Sequence, residues 1–303
     1  MTLRFAAPVS LEDALVLLAG DPAARPVAGG TDLVVAARQG RKPLPESIVA
    51  IDRIGELAGH EIVDGALVLG GLIDHAWLAV SAEVRAGWTA LSDAASIVGS
   101  PATRGTGTIG GNLMNASPAA ETTGPLVVLN ASVTLRASGG ASRIVAVADL
   151  ATGPGRTVAR QGELLTRVTV PPTASGSGSA YIRLEFRRAM EIAVVGAAAV
   201  VTIAGGVVRE VRIALTAVAP TIVRAPEAEA ALAEASATRE SFAAAGRAAA
   251  AAARPIDDVR ASAEYRRAML EVVVARVLAA AAVRAAGETI PIPASRWAHG
   301  QEV

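Results

Sequence analysis

The chain has 303 residues, 52% of them apolar, and its 28 basic and 28 acidic residues cancel. That length carries two domains with cores of their own, and a chain without a block of like charge offers neither a nucleic-acid footprint nor a polybasic membrane patch. It contains no cysteine, which excludes disulfides, a thiol nucleophile and cysteine-held zinc or iron–sulfur clusters within it and fits a cytoplasmic setting.

The first residues lack the charged and apolar regions of a secretory signal. Ser10 followed by LEDALVLLAG predicts an N-capped helix over about 11–19. RPVAGGTDLVVAARQG reads as a short strand, a glycine turn and a second helix whose N-cap is Thr31 or Asp32. SIVAID (47–52) and ALVLGG (66–71) are strand candidates, and helices are expected over 74–84 and about 89–98, the latter closed by Gly99 and Pro101. After a stretch rich in glycine and asparagine (105–115), residues 118–130 predict a helix, and SVTLRA, RIVAVADL and ELLTRVTV predict strands.

PPTASGSGSA (171–180) joins a double proline to serine and glycine and marks a domain boundary. The expected division is 1–172, a linker over 173–180, a second domain over 181–288 and a tail over 289–303. AYIRLEFRR and VGAAAVVTI read as strands, and VVREVRIALTAVA pairs back through Ala204-Gly205-Gly206 as a hairpin. The longest uncharged run, Ile192 to Val208, is broken by Thr202 and the glycine pair, so it predicts paired strands and not a membrane span. Alanine-rich helices are expected near 226–235, 239–252 and 261–286. Strands followed by helices make this half α+β.

Two glycine loops carry the chemistry. GTGTIG at Gly105 to Gly110 formally matches the GxGxxG dinucleotide fingerprint, but the loop GSPATR stands where a strand is required. Moreover, no acidic residue lies between Thr122 and Ala148 to hold a ribose. What the stretch offers is glycines interleaved with Thr106, Thr108, Asn112, Asn115 and Ser117, a composition that lets backbone N–H groups and side-chain donors surround an anion such as a diphosphate. Gly29-Gly30 before Thr31-Asp32 repeats this chemistry at a helix start, with Asp32 an N-cap or a repulsive carboxylate. For either loop alone a tight turn is the simpler explanation. The histidines, His60, His75 and His299, have no metal-ligand spacing, and no nucleophile elbow or P-loop occurs, so neither a metal site nor a catalytic residue is expected and the reactivity falls to a cofactor.

AGGTDL (28–33), TRGTGTIGGNLMNASPAAET (103–122) and FRRAMEIAVVGAAAVV (186–201), in this order, resemble the FAD-binding medium subunit of the xanthine dehydrogenase family, which includes the carbon monoxide dehydrogenase flavoprotein. The resemblance runs from about residue 2 to about 287. It implies an N-terminal two-part α/β FAD-binding domain of the vanillyl-alcohol oxidase type and a smaller α+β C-terminal domain of sheet plus helices. It places Ala28, Gly29, Gly30, Thr31, Asp32 and Leu33 with Thr108, Ile109, Gly110, Gly111 and Asn112 on the FAD pyrophosphate. Ser117 would lie near the adenosine, and Glu121, where the family more often has aspartate, would bond the adenine ribose. Arg188, Glu191 and Ile192 would stand beside the flavin ring, Glu191 again replacing an aspartate; an Arg188–Glu191 ion pair and a core position for Ile192 are the simpler alternatives. Replacing Gly111 by valine is expected to obstruct both the backbone conformation and the phosphate.

The implied partners are a small subunit with 2Fe–2S clusters and a large subunit with a molybdenum cofactor, assembled as a dimer of heterotrimers with no integral membrane segment. This chain would pass electrons from the clusters to an external acceptor. A self-sufficient flavin oxidase and a nucleotide-sensing scaffold are the alternatives, distinguished by substrate reduction without partners and by copurification with them.

Overall fold

The computed structural model describes residues 3–187 and 190–298. A small parallel sheet comes first: β1 (Arg4–Ala6), β2 (Ala24–Val27) and β3 (Ser47–Ala50) lie in the order β1-β3-β2. Between them run α1 (Leu11–Gly20), whose N-cap Ser10 accepts the Asp13 N–H at 3.2 Å, and α2 (Leu33–Arg38). Leu11, Ala14, Leu15 and Leu18 turn inward at helical spacing and pack with Val49, Ile54 and Leu57.

A larger antiparallel sheet follows. It begins with β4 (His60–Val63) and β5 (Ala66–Gly70), leaves through α3 (His75–Val80), α4 (Ala82–Gly87), α5 (Thr89–Ile97), α6 (Pro101–Arg104), α7 (Ile109–Met114) and α8 (Thr123–Val128), and returns as β6 (Ser132–Arg136) and β7 (Ser142–Ala146). After α9 (Val147–Leu150) and the ribbon of β8 (Ala151–Gly153) and β9 (Arg156–Thr157), β10 (Leu164–Val170) enters the middle, giving the order β4-β5-β10-β6-β7. The helix expected over 74–84 is two helices, because the Ser81 hydroxyl accepts the Val84 N–H at 3.3 Å and starts a new one. The helix expected over 118–130 is confined to α8, and RIVAVADL divides between β7 and α9.

The C-terminal sheet has the antiparallel order β11 (Ser177–Leu184), β12 (Val195–Ala204), β13 (Val207–Thr216), β14 (Val223–Arg224). Gly205 and Gly206, with φ of +59° and +76°, make the two-residue hairpin turn between β12 and β13. α10 (Pro226–Leu232), α11 (Arg239–Ala252), α12 (Ala263–Ala285) and α13 (Ser295–Ala298) follow. One face of this sheet, with Ala197, Ala199, Val201 and Ile213, packs on α11 and α12; the other, with Tyr181, Ala198, Val200 and Ala214, joins Leu91 and Leu126 in the core of the preceding layer. Burial on both faces explains why β12 reads as continuous small apolar residues rather than as an alternation. Among the described residues no helix is long and apolar enough to cross a membrane.

Two expected boundaries differ. Residues 177–180, assigned to a linker, open β11 and pair with Thr202 to Ala199. Gly178 is there for packing and not for flexibility, since a β-carbon on it would collide with the Ala281 carbonyl of α12. The tail also docks: Ile290, Ala294 and Ala298 are buried, and the Ala294 N–H donates to Asp93 at 2.9 Å. Asp93, wholly buried on α5, further accepts the Tyr181 N–H at 3.1 Å and two hydrogen bonds from Arg284 at 2.6 and 2.9 Å.

A second buried arginine, Arg266, donates to the Val194 and Ala217 carbonyls and to Asp258 at 2.7 Å. Burial pushes the Asp258 carboxyl up, but the Arg260 N–H and the guanidinium groups of Arg260 and Arg266 overcome this and hold it at about 2. A depressed carboxylate pKa contributes stability that is complete above the ordinary value and disappears as pH falls through the folded one. Asp258→Asn should therefore cost about 2 kcal/mol at pH 7 and little at pH 2, read from urea unfolding at both pH values.

Candidate functional site

The first glycine loop sits at the carboxyl end of β2, where ligands of parallel sheets bind. Gly30, at φ +65°, turns the chain into α2. Among the described residues, no protein acceptor takes the N–H groups of Gly29, Gly30, Thr31 or Asp32. Asp32 occupies the N-cap position, yet its side chain makes no capping bond and stays exposed.

The second loop connects α6 to α7. Contrary to the expectation of a row of free amides, Ile109 donates to the Ile73 carbonyl at 2.8 Å, Gly110 to the Gly71 carbonyl at 3.0 Å, Gly111 to Thr108 Oγ1 at 3.0 Å and Asn112 to the Thr108 carbonyl at 2.9 Å. The Thr108 hydroxyl is thus an N-cap. What this loop presents is the Thr108 N–H, the exposed backbone of Gly111, and the Asn112 amide, whose Oδ1 accepts the Thr122 hydroxyl at 2.7 Å and leaves its N–H₂ group turned elsewhere.

The two loops touch. A β-carbon on Gly29 would collide with the Thr106 carbonyl. One on Gly107 would stand 3.0 Å from the Thr103 carbonyl, 3.4 Å from the His75 ring and 3.5 Å from Thr31 Oγ1. His75 fixes this junction through its own N–H, which donates to the Gly107 carbonyl at 3.1 Å. Its ring is buried, and burial lowers its pKa to about 4, so the imidazole is neutral and adds no charge beside the loops.

Farther along, Ser117 opens a tight turn by accepting the Ala119 N–H at 3.2 Å. Glu121 is buried and ion-paired with Arg183 of β11, whose Nε also donates to Glu185 at 2.6 Å. Arg183 escaped the sequence reading, although a charge at an inward position of AYIRLEF was its signal. Arg188 lies outside the described residues. Glu191 pairs instead with Arg187 at 2.9 Å, which holds its carboxyl below the usual range. Ile192 is 51% exposed and so is not core, and Phe186 and Met190 are exposed as well. Met190 donates its N–H to the Gly99 carbonyl at 3.2 Å, which seats this segment beside α6 and the second loop.

An acceptor-only diphosphate fits a place where unpaired N–H groups, a hydroxyl and an amide converge on glycines that leave room for it. A model of the FAD binding domain in molybdopterin dehydrogenase matches residues 1–173, and one of the CO dehydrogenase flavoprotein C-terminal domain matches residues 180–281. The chain belongs to the FAD-binding medium subunits of the xanthine dehydrogenase and carbon monoxide dehydrogenase family. Among relatives of this medium-subunit family, the 6-hydroxypseudooxynicotine dehydrogenase complex subunit alpha of Paenarthrobacter nicotinovorans is 35% identical over 91% of this chain and 93% of its own. The structure of a carbon monoxide dehydrogenase from Hydrogenophaga pseudoflava superposes with a TM-score of 0.89 at 33% identity, covering 94% of this chain and 98% of that one. Quinoline 2-oxidoreductase from Pseudomonas putida 86 gives 0.88 at 28% identity, with 94% and 98% covered.

Proposed function

We propose that this medium subunit holds FAD in a molybdenum hydroxylase complex and passes electrons from the 2Fe–2S clusters of a small subunit to an external acceptor. The large subunit, with its molybdenum cofactor, oxidises the substrate, and the complex is a cytoplasmic dimer of heterotrimers. The observation that carries this reading is the contact of the two glycine loops around unpaired N–H groups.

In this reading the N-terminal half is of the vanillyl-alcohol oxidase type, with the cofactor between the small parallel sheet and the larger antiparallel one. Ala28 to Leu33 and Thr108 to Asn112 surround the pyrophosphate, the first segment with backbone donors and the second with Thr108, Asn112 and the open Gly111. In this reading Ser117 and Glu121 are assigned to the adenosine, and Arg188, Glu191 and Ile192 to the ring. The chemistry that FAD supplies there is the uptake and release of electrons. A self-sufficient oxidase would need Glu191 or Arg188 as its acid or base, and the Arg187 guanidinium, by holding the Glu191 carboxyl below the usual range, weighs against Glu191 as the acid.

Titration of the purified chain with FAD should give one bound flavin with a perturbed visible spectrum, and a pull-down should add iron–sulfur bands. Absence of flavin uptake would remove the reading.

A further inference from the structure

Met190 is 58% exposed, whereas Met114 and Met269 are half-buried against apolar cores, so among the described residues it is the methionine open to solvent. It is also held in place. At φ +54° it sits in the left-handed region that residues other than glycine rarely adopt. Its N–H donates to the Gly99 carbonyl at 3.2 Å, its carbonyl accepts from Arg187 Nη2 at 3.1 Å, and its Sδ accepts the hydroxyl of Thr103, on α6, at 3.8 Å. The Ser100 hydroxyl lies 3.0 Å from Thr103 Oγ1; with Ser100 as the donor there, the Thr103 proton is left for the sulfur.

We infer that Met190 is a modification site for a hydroperoxide-class oxidant, and that Thr103 directs the incoming oxygen to one face of its sulfur. A thioether sulfur has two lone pairs, and oxygen added at one or the other gives the two sulfoxide epimers. Thr103 engages one of them, so the other attacks the peroxide. A sulfur–oxygen bond forms and the oxygen–oxygen bond breaks. The sulfur gives up two electrons, and a proton moves from the transferred oxygen to the departing one, which leaves as water. The sulfoxide sulfur is no longer an electron-rich acceptor, so the segment keeps its backbone tie to Gly99 and loses its tie to Thr103. The inference goes beyond the FAD reading and does not depend on it, since the oxidant reaches Met190 from solvent.

The test treats the folded full chain with hydrogen peroxide and follows each methionine by peptide mass spectrometry. Met190 should react about tenfold or more faster than Met114 and Met269, whose side chains pack against the cores and react freely only on local opening. The Met190 sulfoxide, in the digested peptide, is then offered to the two sulfoxide reductases that each accept one epimer. Wild type should yield the epimers in a ratio of about two to five, the effect of one weak hydrogen bond on competing barriers. Thr103→Ser, which keeps the hydroxyl, should retain that ratio, and Thr103→Val should bring it to the value found when the unfolded chain is oxidised. Exchange of the Met190 N–H with deuterium should quicken by a similar two- to fivefold, roughly, on oxidation. A ratio in folded wild type equal to that of the unfolded chain would overturn the proposal, as would one that Thr103→Val leaves unchanged. Oxidation of Met190 no faster than that of the other two would overturn it as well, and an unchanged exchange rate would overturn the untying of the segment.

Discussion

Gly29→Val should abolish flavin retention in a chain that still folds. The side chain would enter the Thr106 carbonyl, a backbone group that can yield only by moving the second loop as a whole. Separating the loops would remove two or more hydrogen bonds to a charged ligand, at about 1.5–3 kcal/mol each, so FAD affinity should fall roughly a thousandfold or more. Flavin absorbance after desalting checks the loss, and circular dichroism melting checks the fold. Retention of flavin at wild-type stoichiometry would show that the loops do not act as one site. The structure makes this a sharper experiment than Gly111→Val. Gly111 has no positive φ, lies exposed in the first turn of α7, and its β-carbon would meet only Thr108 Oγ1, at 3.0 Å. The obstruction expected of the backbone conformation is absent there, and only the approach of the ligand remains to be affected.

Arg284→Ala should destabilise the protein by about 3–5 kcal/mol, because it strands the Asp93 carboxylate in the core with two backbone N–H donors and no counter-charge. Urea unfolding at pH 7 measures it. The double variant Asp93→Leu/Arg284→Met should recover most of that loss, since a buried pair replaced by apolar groups of similar size is close to neutral. A double variant as unstable as the single one would mean that the pair contributes directional packing that hydrophobes cannot replace.

What was legible in the sequence was what local chemistry determines. The helix expected over 239–252 has those bounds because Thr238 and Ser241 form a reciprocal cap, and the β12–β13 hairpin follows from its glycine pair. The two glycine loops could be picked out by composition, but their contact could not, because Gly29 and Thr106 meet only through tertiary packing. Nor could composition say which amides are free, since Ile109 and Gly110 are satisfied by Ile73 and Gly71 across a turn of the fold. The serine-glycine stretch before Tyr181 has the local signature of a linker, and only the closeness of α12 turns it into strand. Glu121 and Asp93 were opaque for one reason: each takes its arginine from a distant element.

The Asp93 cluster also bears on how the chain is made. Its four donated hydrogen bonds come from residues 181, 284 and 294, so α5, in the first third of the chain, waits for nearly the last residues synthesised before its carboxylate is satisfied. Until then the Asp93 carboxylate has only water, because among the described residues no side chain or N–H of the first 172 residues donates to it. A shortened chain ending at residue 281, where the matched C-terminal region stops, would keep every strand and still lack Arg284 and Ala294. Such a chain would be caught in the state the ribosome normally passes through.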